Sequence, residues 1–420
     1  MTTRSSAKDR LPRRRIVSFG LLPVLAGVAP VLVLPVIAAR LEKEGWAAIA
    51  VGQSVGLVGA ILVAFAWPVL GPAAVAGRTS DLQWRELWRS LRVRSALFLL
   101  VIVPAWAIAA ALSPGPFSDA AGLTAVAFCA YGLASGWFFI GTGQAGGVAA
   151  FEAVPRLVGT MAAIPILWFT ANPLAYPACI LVGSLAGSIG AAWRVSRRTK
   201  RSSEDELPKQ GASRSLQHLS LTLSGLVTSG YTVGSTAIVS ALAPNVWVIA
   251  AFAGVFRIQA MARIPAQTIA GALQGWVSEG GTPAKRMRLA LAAMVGIGAV
   301  VGLSVAVLLP LTLDILFLGS VSATPLTSAL CGLLVFAHAT SLSASVHVLV
   351  PAGRVHLISL ATVLGSCLGV PLLLWLTPRF GVEGAVVSLL AAEALVVAIE
   401  LPAALQVISG LFSRQGADDR

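Results

Sequence analysis

Residues Trp247 to Trp276 read WVIAAFAGVFRIQAMARIPAQTIAGALQGW, an apolar run that holds two arginines, Arg257 and Arg263. Arg257 comes ten residues after Trp247. At 1.5 Å of rise per residue that is about 15 Å, near the middle of a hydrocarbon slab about 30 Å thick. A guanidinium stays charged there, and burying it costs at least about 2.5–3.5 kcal/mol on insertion scales. Such a residue either turns toward a wet interior where an anion or strongly polar group meets it, or bonds carbonyls and side chains of neighbouring helices. The expectation taken for Arg257 is the pore-facing anion site. Arg263 sits six residues on, about 240° round the helix, and either joins that site or snorkels toward the helix end.

The composition supports a membrane reading. Hydrophobic residues make up 57% of the chain, charged residues 11%, and the mean hydropathy is +0.85. This is a polytopic membrane protein and not a soluble globule. Twelve spans are expected. The first six are Ile16–Ala39, Ala47–Leu70, Ala96–Leu112, Gly122–Gly141, Val148–Phe169 and Leu174–Trp193. The second six are Leu219–Leu242, Val248–Ala272, Leu289–Leu309, Leu326–Leu349, Val355–Leu376 and Val382–Leu405. The run Arg13-Arg14-Arg15 before the first span imitates a signal peptide, but the span is too long for one and reads as retained.

Lysine and arginine fall 24 to one side of these spans and 3 to the other, with Arg156, Arg257 and Arg263 inside spans, which accounts for all 30. The rich side holds both tails, the central connection and the connection bearing Arg78, Arg85, Arg89, Arg92 and Arg94. The positive-inside rule then makes both termini cytoplasmic. The net charge of +13 is a topology signal and no nucleic-acid footprint.

Asp81 to Arg94 interleaves Leu82, Trp84, Leu87, Trp88 and Leu91 with charges, which predicts a separate interfacial helix on the inner leaflet. Residues 194–217 are the longest hydrophilic stretch and predict a flexible cytoplasmic linker between an N-terminal lobe, 1–193, and a C-terminal lobe, 218–420. Six spans on each side invite a repeat. Ile166–Thr170 aligns with Leu373–Thr377 and Trp46 with Trp247, at offsets of 207 and 201. These echoes mark one six-helix unit used twice, about an axis along the membrane normal, or chance similarity among apolar segments.

Enzyme chemistry is missing from the pattern. Gly141-Thr142-Gly143-Gln144-Ala145-Gly146 spells a dinucleotide fingerprint but follows a membrane helix and not a strand. The four cysteines lie in apolar runs, and His218, His338, His347 and His356 lack metal-ligand spacing. The acidic run Glu204-Asp205-Glu206 reads as solvated. No P-loop or catalytic triad occurs, so no cofactor, metal or ATP use is expected.

Polar residues inside spans are more telling. The seventh span is rich in hydroxyl groups, Tyr231 and Thr232 among them, as helix glue or as a polar wall. The eighth adds Gln259 to its arginines. Glu152 and Arg156 form an i,i+4 pair, read first as a structural salt bridge and second as part of a polar site. Glu393 is near mid-membrane in the last span, with Glu400 seven residues on. It is either a carboxylate that responds to protons or sodium or a protonated structural group.

The run Tyr131-Gly132-Leu133-Ala134-Ser135-Gly136-Trp137-Phe138-Phe139-Ile140-Gly141 resembles the Trp-Phe-Phe-Gln-Gly signature of bacterial polysaccharide flippases, with Ile140 where glutamine is usual. Leu34–Arg40 continuing through Gly45-Trp46, Ala253–Ile258, and Phe380–Ala385 fit the same family. It is the O-antigen and exopolysaccharide branch of the multidrug/oligosaccharidyl-lipid/polysaccharide exporter superfamily. The resemblance spans nearly the whole chain. It implies an all-α protein of about twelve transmembrane helices in two six-helix lobes around a central cavity. It also implies that the first and seventh helices line that cavity, and that access alternates in a bacterial cytoplasmic membrane.

The combined expectation is a non-enzymatic flippase that moves a polyprenyl-pyrophosphate-linked oligosaccharide from the cytoplasmic to the outer leaflet. An anionic pyrophosphate bearing sugars needs a hydrated, cationic, polar-walled path, while the polyprenyl tail stays in lipid. Arg257 suits the pyrophosphate because its planar donors fork onto phosphate oxygens. Arg263, Arg156 and Gln259 are the other expected substrate contacts, Tyr231 and Thr232 face sugar, and Glu393 couples transport. Expected partners are the lipid-linked oligosaccharide, membrane lipids and other polysaccharide-assembly membrane proteins. Two rivals stand beside this reading. A cation-coupled multidrug exporter needs an anionic cavity, whereas the deep charges here lean basic. A membrane-embedded polymerase or ligase should present a large outer loop, which this sequence lacks.

Overall fold

A computed structural model describes residues 31–113, 115–198, 212–243, 245–278 and 283–418. Most of the first span, its basic tail and the acidic run at 204–206 lie outside the described residues. The helices are α1 (Leu34–Ala64), α2 (Trp67–Val75), α3 (Ser80–Leu112), α4 (Ser118–Cys129), α5 (Gly136–Gly141), α6 (Val154–Thr170) and α7 (Ala175–Arg198). They continue as α8 (Ala212–Ser229), α9 (Ser235–Leu242), α10 (Val246–Ser278), α11 (Pro283–Phe317), α12 (Pro325–Ser343) and α13 (Val355–Asp418). Among the described residues no strand forms, and nine stretches are long and apolar enough to cross a membrane. The chain is an all-α, multi-pass membrane protein.

Two helical stretches contain joints. The apolar part of α13, Val355–Leu411, has 57 residues. At 1.5 Å each that is about 85 Å, far more than one crossing of a 30 Å slab. The helix breaks at Gly381, with φ 56° and ψ −129°, a conformation open to glycine and closed to most side chains. This is the gap expected between the eleventh and twelfth spans. Glu42, at φ 57°, makes the corresponding joint inside α1, between the first and second expected spans.

Packing divides the chain into two compact units. One comprises Val28–Ala253 with Asp314–Val321, the other Gly254–Leu313 with Ser322–Arg420. This division falls inside α10, whereas the division at 194–217 is one between sequence halves. Helix also covers both ends of that expected linker, since α7 runs to Arg198 and α8 starts at Ala212.

In the first unit α1 lies close against α4 because Gly52 and Gly56, four residues apart, present a bare face. A Cβ on Gly56 would sit 2.5 Å from the Ala125 carbonyl oxygen. The Trp46 indole donates to the Ala250 carbonyl at 3.1 Å, and its ring lies 5.1 Å from that of Phe317. Phe65, at φ 44°, ends α1 and frees its own carbonyl. Buried His218 of α8 meets that carbonyl through Nδ1 at 2.7 Å and stacks on the Phe65 ring.

Two expectations need correction. Asp81–Arg94 is no separate interfacial helix: α3 runs unbroken through it, and Glu86, Leu87, Ser90 and Arg94 are fully buried along one face. Leu87 packs with Trp67, Trp137, Phe138 and Phe139. Arg94, one of the topology charges, is 0% exposed. It donates through Nη1 to the carbonyls of Gly132 (3.1 Å) and Ala134 (2.7 Å). The reason is local. After α4 the chain tightens into a 3-10 turn at Ala130–Leu133 and leaves helical geometry before Gly136, which frees carbonyls that need a donor.

The seventh span also departs from a simple helix. It breaks between α8 and α9 across Gly230–Gly234. Ser54 of α1 fills the gap, donating to the Val233 carbonyl at 2.6 Å and accepting from the Ala237 amide at 3.1 Å.

Candidate functional site

Helix α10 carries Arg257, Gln259 and Arg263. Arg257 is half-buried, and its Nε is buried with no hydrogen-bond partner among the described residues. Gln259 is 1% exposed, and among the described residues neither Nε2 nor Oε1 of its amide has a partner. An amide left so costs about 1–3 kcal/mol per unsatisfied group. Gln259 lies one turn before Arg263 on the same helical face, whereas Arg257 points about 200° away from it.

Arg263 faces charge. It acts electrostatically on Glu393, which sits on the second half of α13. Glu393 Oε1 accepts from His338 Nδ1 at 3.1 Å and from the Ser341 hydroxyl at 3.2 Å. His338 and Ser341 are three residues apart and share a face of α12. The carboxylate is therefore held by α12 and by the field of α10, as a buried charge requires. Seven residues along α13, Glu400 is 1% exposed, and among the described residues its Oε2 is buried without a hydrogen-bond partner.

A second tie runs beside this one. After α12 the helix widens into a π-turn, Ala344–Leu349, which aims fully buried His347 at α10. Its Nε2 reaches the Ala270 carbonyl at 2.9 Å, and its Nδ1 lies 2.9 Å from the Ser343 hydroxyl. A carbonyl only accepts, so Nε2 carries the proton and Nδ1 takes the Ser343 hydrogen. Sequence reasoning set His338 and His347 aside for want of metal-ligand spacing. The available signal was different: they bracket the polar stretch His338–His347, the richest in the tenth span, and intramembrane ionisable groups are functional candidates by default.

The remaining expected contacts belong to the other unit. Arg156 Nη2 lies 3.3 Å from Glu152 Oε1, and its guanidinium carbon sits 3.8 Å over the Tyr131 ring. Glu152 also acts electrostatically on buried Arg94, so one carboxylate serves two guanidinium groups. Tyr231 is buried. Thr232 donates to the Thr228 carbonyl at 3.0 Å, and Thr222, Thr228, Ser229 and Ser235 likewise bond carbonyls three or four residues back. Much of the hydroxyl content of that span is thus engaged with its own helix. The aromatic signature is core: Trp137, Phe138 and Phe139 are buried, while Ile140 is 64% exposed.

The structure thus brings Arg263 together with Glu393 and sets Gln259 one turn away. Arg156, Tyr231 and Thr232 lie in a different compact unit from these three. Among the described residues no group of three or more His, Cys, Asp or Glu side chains is placed to hold a metal ion.

The chain matches no protein-family model and no curated protein. It is similar to solved transporter structures. Against MATE in the bent conformation the TM-score is 0.60 at 13% identity, covering 97% of this chain and 98% of that chain. A MOP superfamily transporter from Pyrococcus furiosus, whose reverse polarity of binding pocket suggests a different function, gives 0.57 at 14% identity, covering 98% and 99%. An outward-facing multidrug resistance MATE family transporter of the MOP superfamily gives 0.55 at 14% identity, covering 98% and 100%. At these identities the likeness is one of fold, and it runs over nearly the full length of both chains.

Proposed function

We infer that this protein is a transporter that moves a polyprenyl-pyrophosphate-linked oligosaccharide between leaflets by alternating access. The observation that carries the reading is on α10, where Arg257 Nε on one face and both amide atoms of Gln259 on the opposite face are buried without hydrogen-bond partners among the described residues. Unfilled donors and fixed positive charge in mid-membrane suit a large anionic, hydroxyl-rich cargo better than a cationic one. The Pyrococcus furiosus transporter supports this direction, since its reversed pocket polarity is linked to a different function on the same fold. In this reading the lobes are residues 1–193 and 218–420, both termini are cytoplasmic, and the protein works beside other polysaccharide-assembly proteins of a bacterial cytoplasmic membrane. It catalyses no covalent step.

A second reading, cation-coupled multidrug export, draws on the multidrug resistance transporter with this fold and on the buried Glu393 carboxylate. One experiment separates the two. Proteoliposomes holding the full chain are given either a fluorescent polyprenyl-pyrophosphate glycan or a cationic dye, with an imposed ion gradient. Translocation of the glycan lipid supports flipping. Dye transport without it would replace flipping by drug export.

A further inference from the structure

We propose that a recess at the turn between α12 and α13 binds the phosphate headgroup of an anionic lipid. The recess has a volume of about 440 Å³, and its lining includes Met287, Ala352, Arg354, Gln406, Val407 and Leu411. That volume falls in the range of small-ligand sites.

Its depth follows from its place in the chain. The turn joins two candidate spans, Pro325–Leu349 and Val355–Leu411, so the recess lies where helices leave the hydrocarbon and headgroups begin. Its charge is unbalanced. No carboxylate lines it, and the half-buried Arg354 side chain makes no hydrogen bond or ion pair among the described residues. Neighbouring Arg286 is already engaged, donating to the Trp276 carbonyl at 2.8 Å beneath the Trp276 ring. Lys285 and Arg288, both exposed, flank Met287 and add positive field at the same end of α11.

The rest of the wall is apolar. Met287, Val407 and Leu411 continue the hydrophobic cluster of Leu349 and Ile408. A free phosphate would satisfy Arg354 and leave that wall wet. A phosphate carried on an acyl or prenyl chain satisfies both, with Gln406 as a further donor to phosphate oxygens or glycerol. Basic pockets between transmembrane helices at the membrane surface are a recognised setting for anionic headgroups. This inference stands apart from the cargo assignment, because it concerns a different set of residues.

The test is native mass spectrometry of the purified full chain, titrated separately with phosphatidylglycerol, phosphatidylcholine, a polyprenyl monophosphate and inorganic phosphate. Arg354→Gln should weaken retention of the anionic lipids about fivefold and leave phosphatidylcholine unchanged. Arg354→Lys should retain most of the binding. Leu411→Ser should weaken lipid binding as well, with no counterpart in inorganic phosphate. Whichever anionic lipid binds tighter to the wild type and loses more in Arg354→Gln identifies the source. Equal retention of both anionic lipids by wild type and Arg354→Gln, at matched melting temperature, would overturn the proposal. So would full displacement of lipid by inorganic phosphate at comparable affinity.

Discussion

His338 Nδ1 lies 3.1 Å from Glu393 Oε1, joining α12 to α13 across 55 residues of sequence. Ser341 bonds the same oxygen, and Arg263 adds its field from α10, so one carboxylate fastens α12 to α13 within reach of a cation on α10. Removing one member of a buried ionic set leaves the others uncompensated, at a cost on the order of 3–5 kcal/mol. Glu393→Ala should therefore lower the melting temperature in detergent sharply. Glu393→Gln keeps an acceptor for Ser341 and should lose less. In transport assays Glu393→Gln should lose its response to imposed proton or sodium gradients. A normal response in that variant would leave Glu393 a purely structural anchor.

Arg257 differs because it fastens nothing among the described residues. Arg257→Ala should leave the melting temperature within a degree or two while abolishing transport, since the variant removes a buried charge and no bond. Arg257→Lys should keep part of the activity, with the charge present and the forked donors lost. Complementation and thermal melts on both variants check this. A loss of function that only tracks a loss of stability would shift the substrate site elsewhere.

Gln259 should show stability and function moving in opposite directions. Gln259→Leu replaces an amide whose two polar atoms are unsatisfied among the described residues by an apolar group of similar size, which should be neutral or stabilising by about 1–3 kcal/mol. If the amide serves the cargo, transport should fall as the melting temperature rises. A variant with full activity would remove Gln259 from the substrate path.

The α1–α4 contact makes a steric prediction. Gly56→Ala puts a Cβ where the Ala125 carbonyl oxygen and Phe128 Cβ stand, at 2.5 and 2.6 Å. The helices must separate, with an expected loss of about 1–3 kcal/mol. Gly146, with open space around it, is the matched control: Gly146→Ala should melt as the wild type does.

Topology is tested with reporters. The 24-to-3 charge asymmetry places a fusion after Lys209 in the cytoplasm and one after Phe380 outside. Both reporters on one side of the membrane would sink the twelve-span arrangement.

Hydropathy and charge located most of the spans, because length and composition decide whether a helix crosses a bilayer. The joint at Gly381 falls between expected ends at 376 and 382, and that at Glu42 between 39 and 47. What the sequence hid depends on neighbours. Arg94 reads as a loop charge until the carbonyls of Gly132 and Ala134 are placed beside it. The amphipathic face of Asp81–Arg94 looks made for lipid, yet its apolar side meets the Trp137–Phe139 aromatics. His338 gains meaning only from Glu393, 55 residues away. Arg263 was marked from sequence, but its carboxylate neighbour was not foreseeable from helical periodicity alone.

The Trp46–Ala250 hydrogen bond has a consequence for how the protein is made. Its two ends are separated by 204 residues, which at about 5–20 residues per second puts roughly 10–40 s of synthesis between them. Until Ala250 leaves the translocon, the second span sits in the bilayer with the Trp46 indole N–H short of its native acceptor. Trp46 opens its span at the interface, so water or a lipid carbonyl can hold that N–H in the interval, and this contact of the first half of the chain closes only when the eighth span arrives.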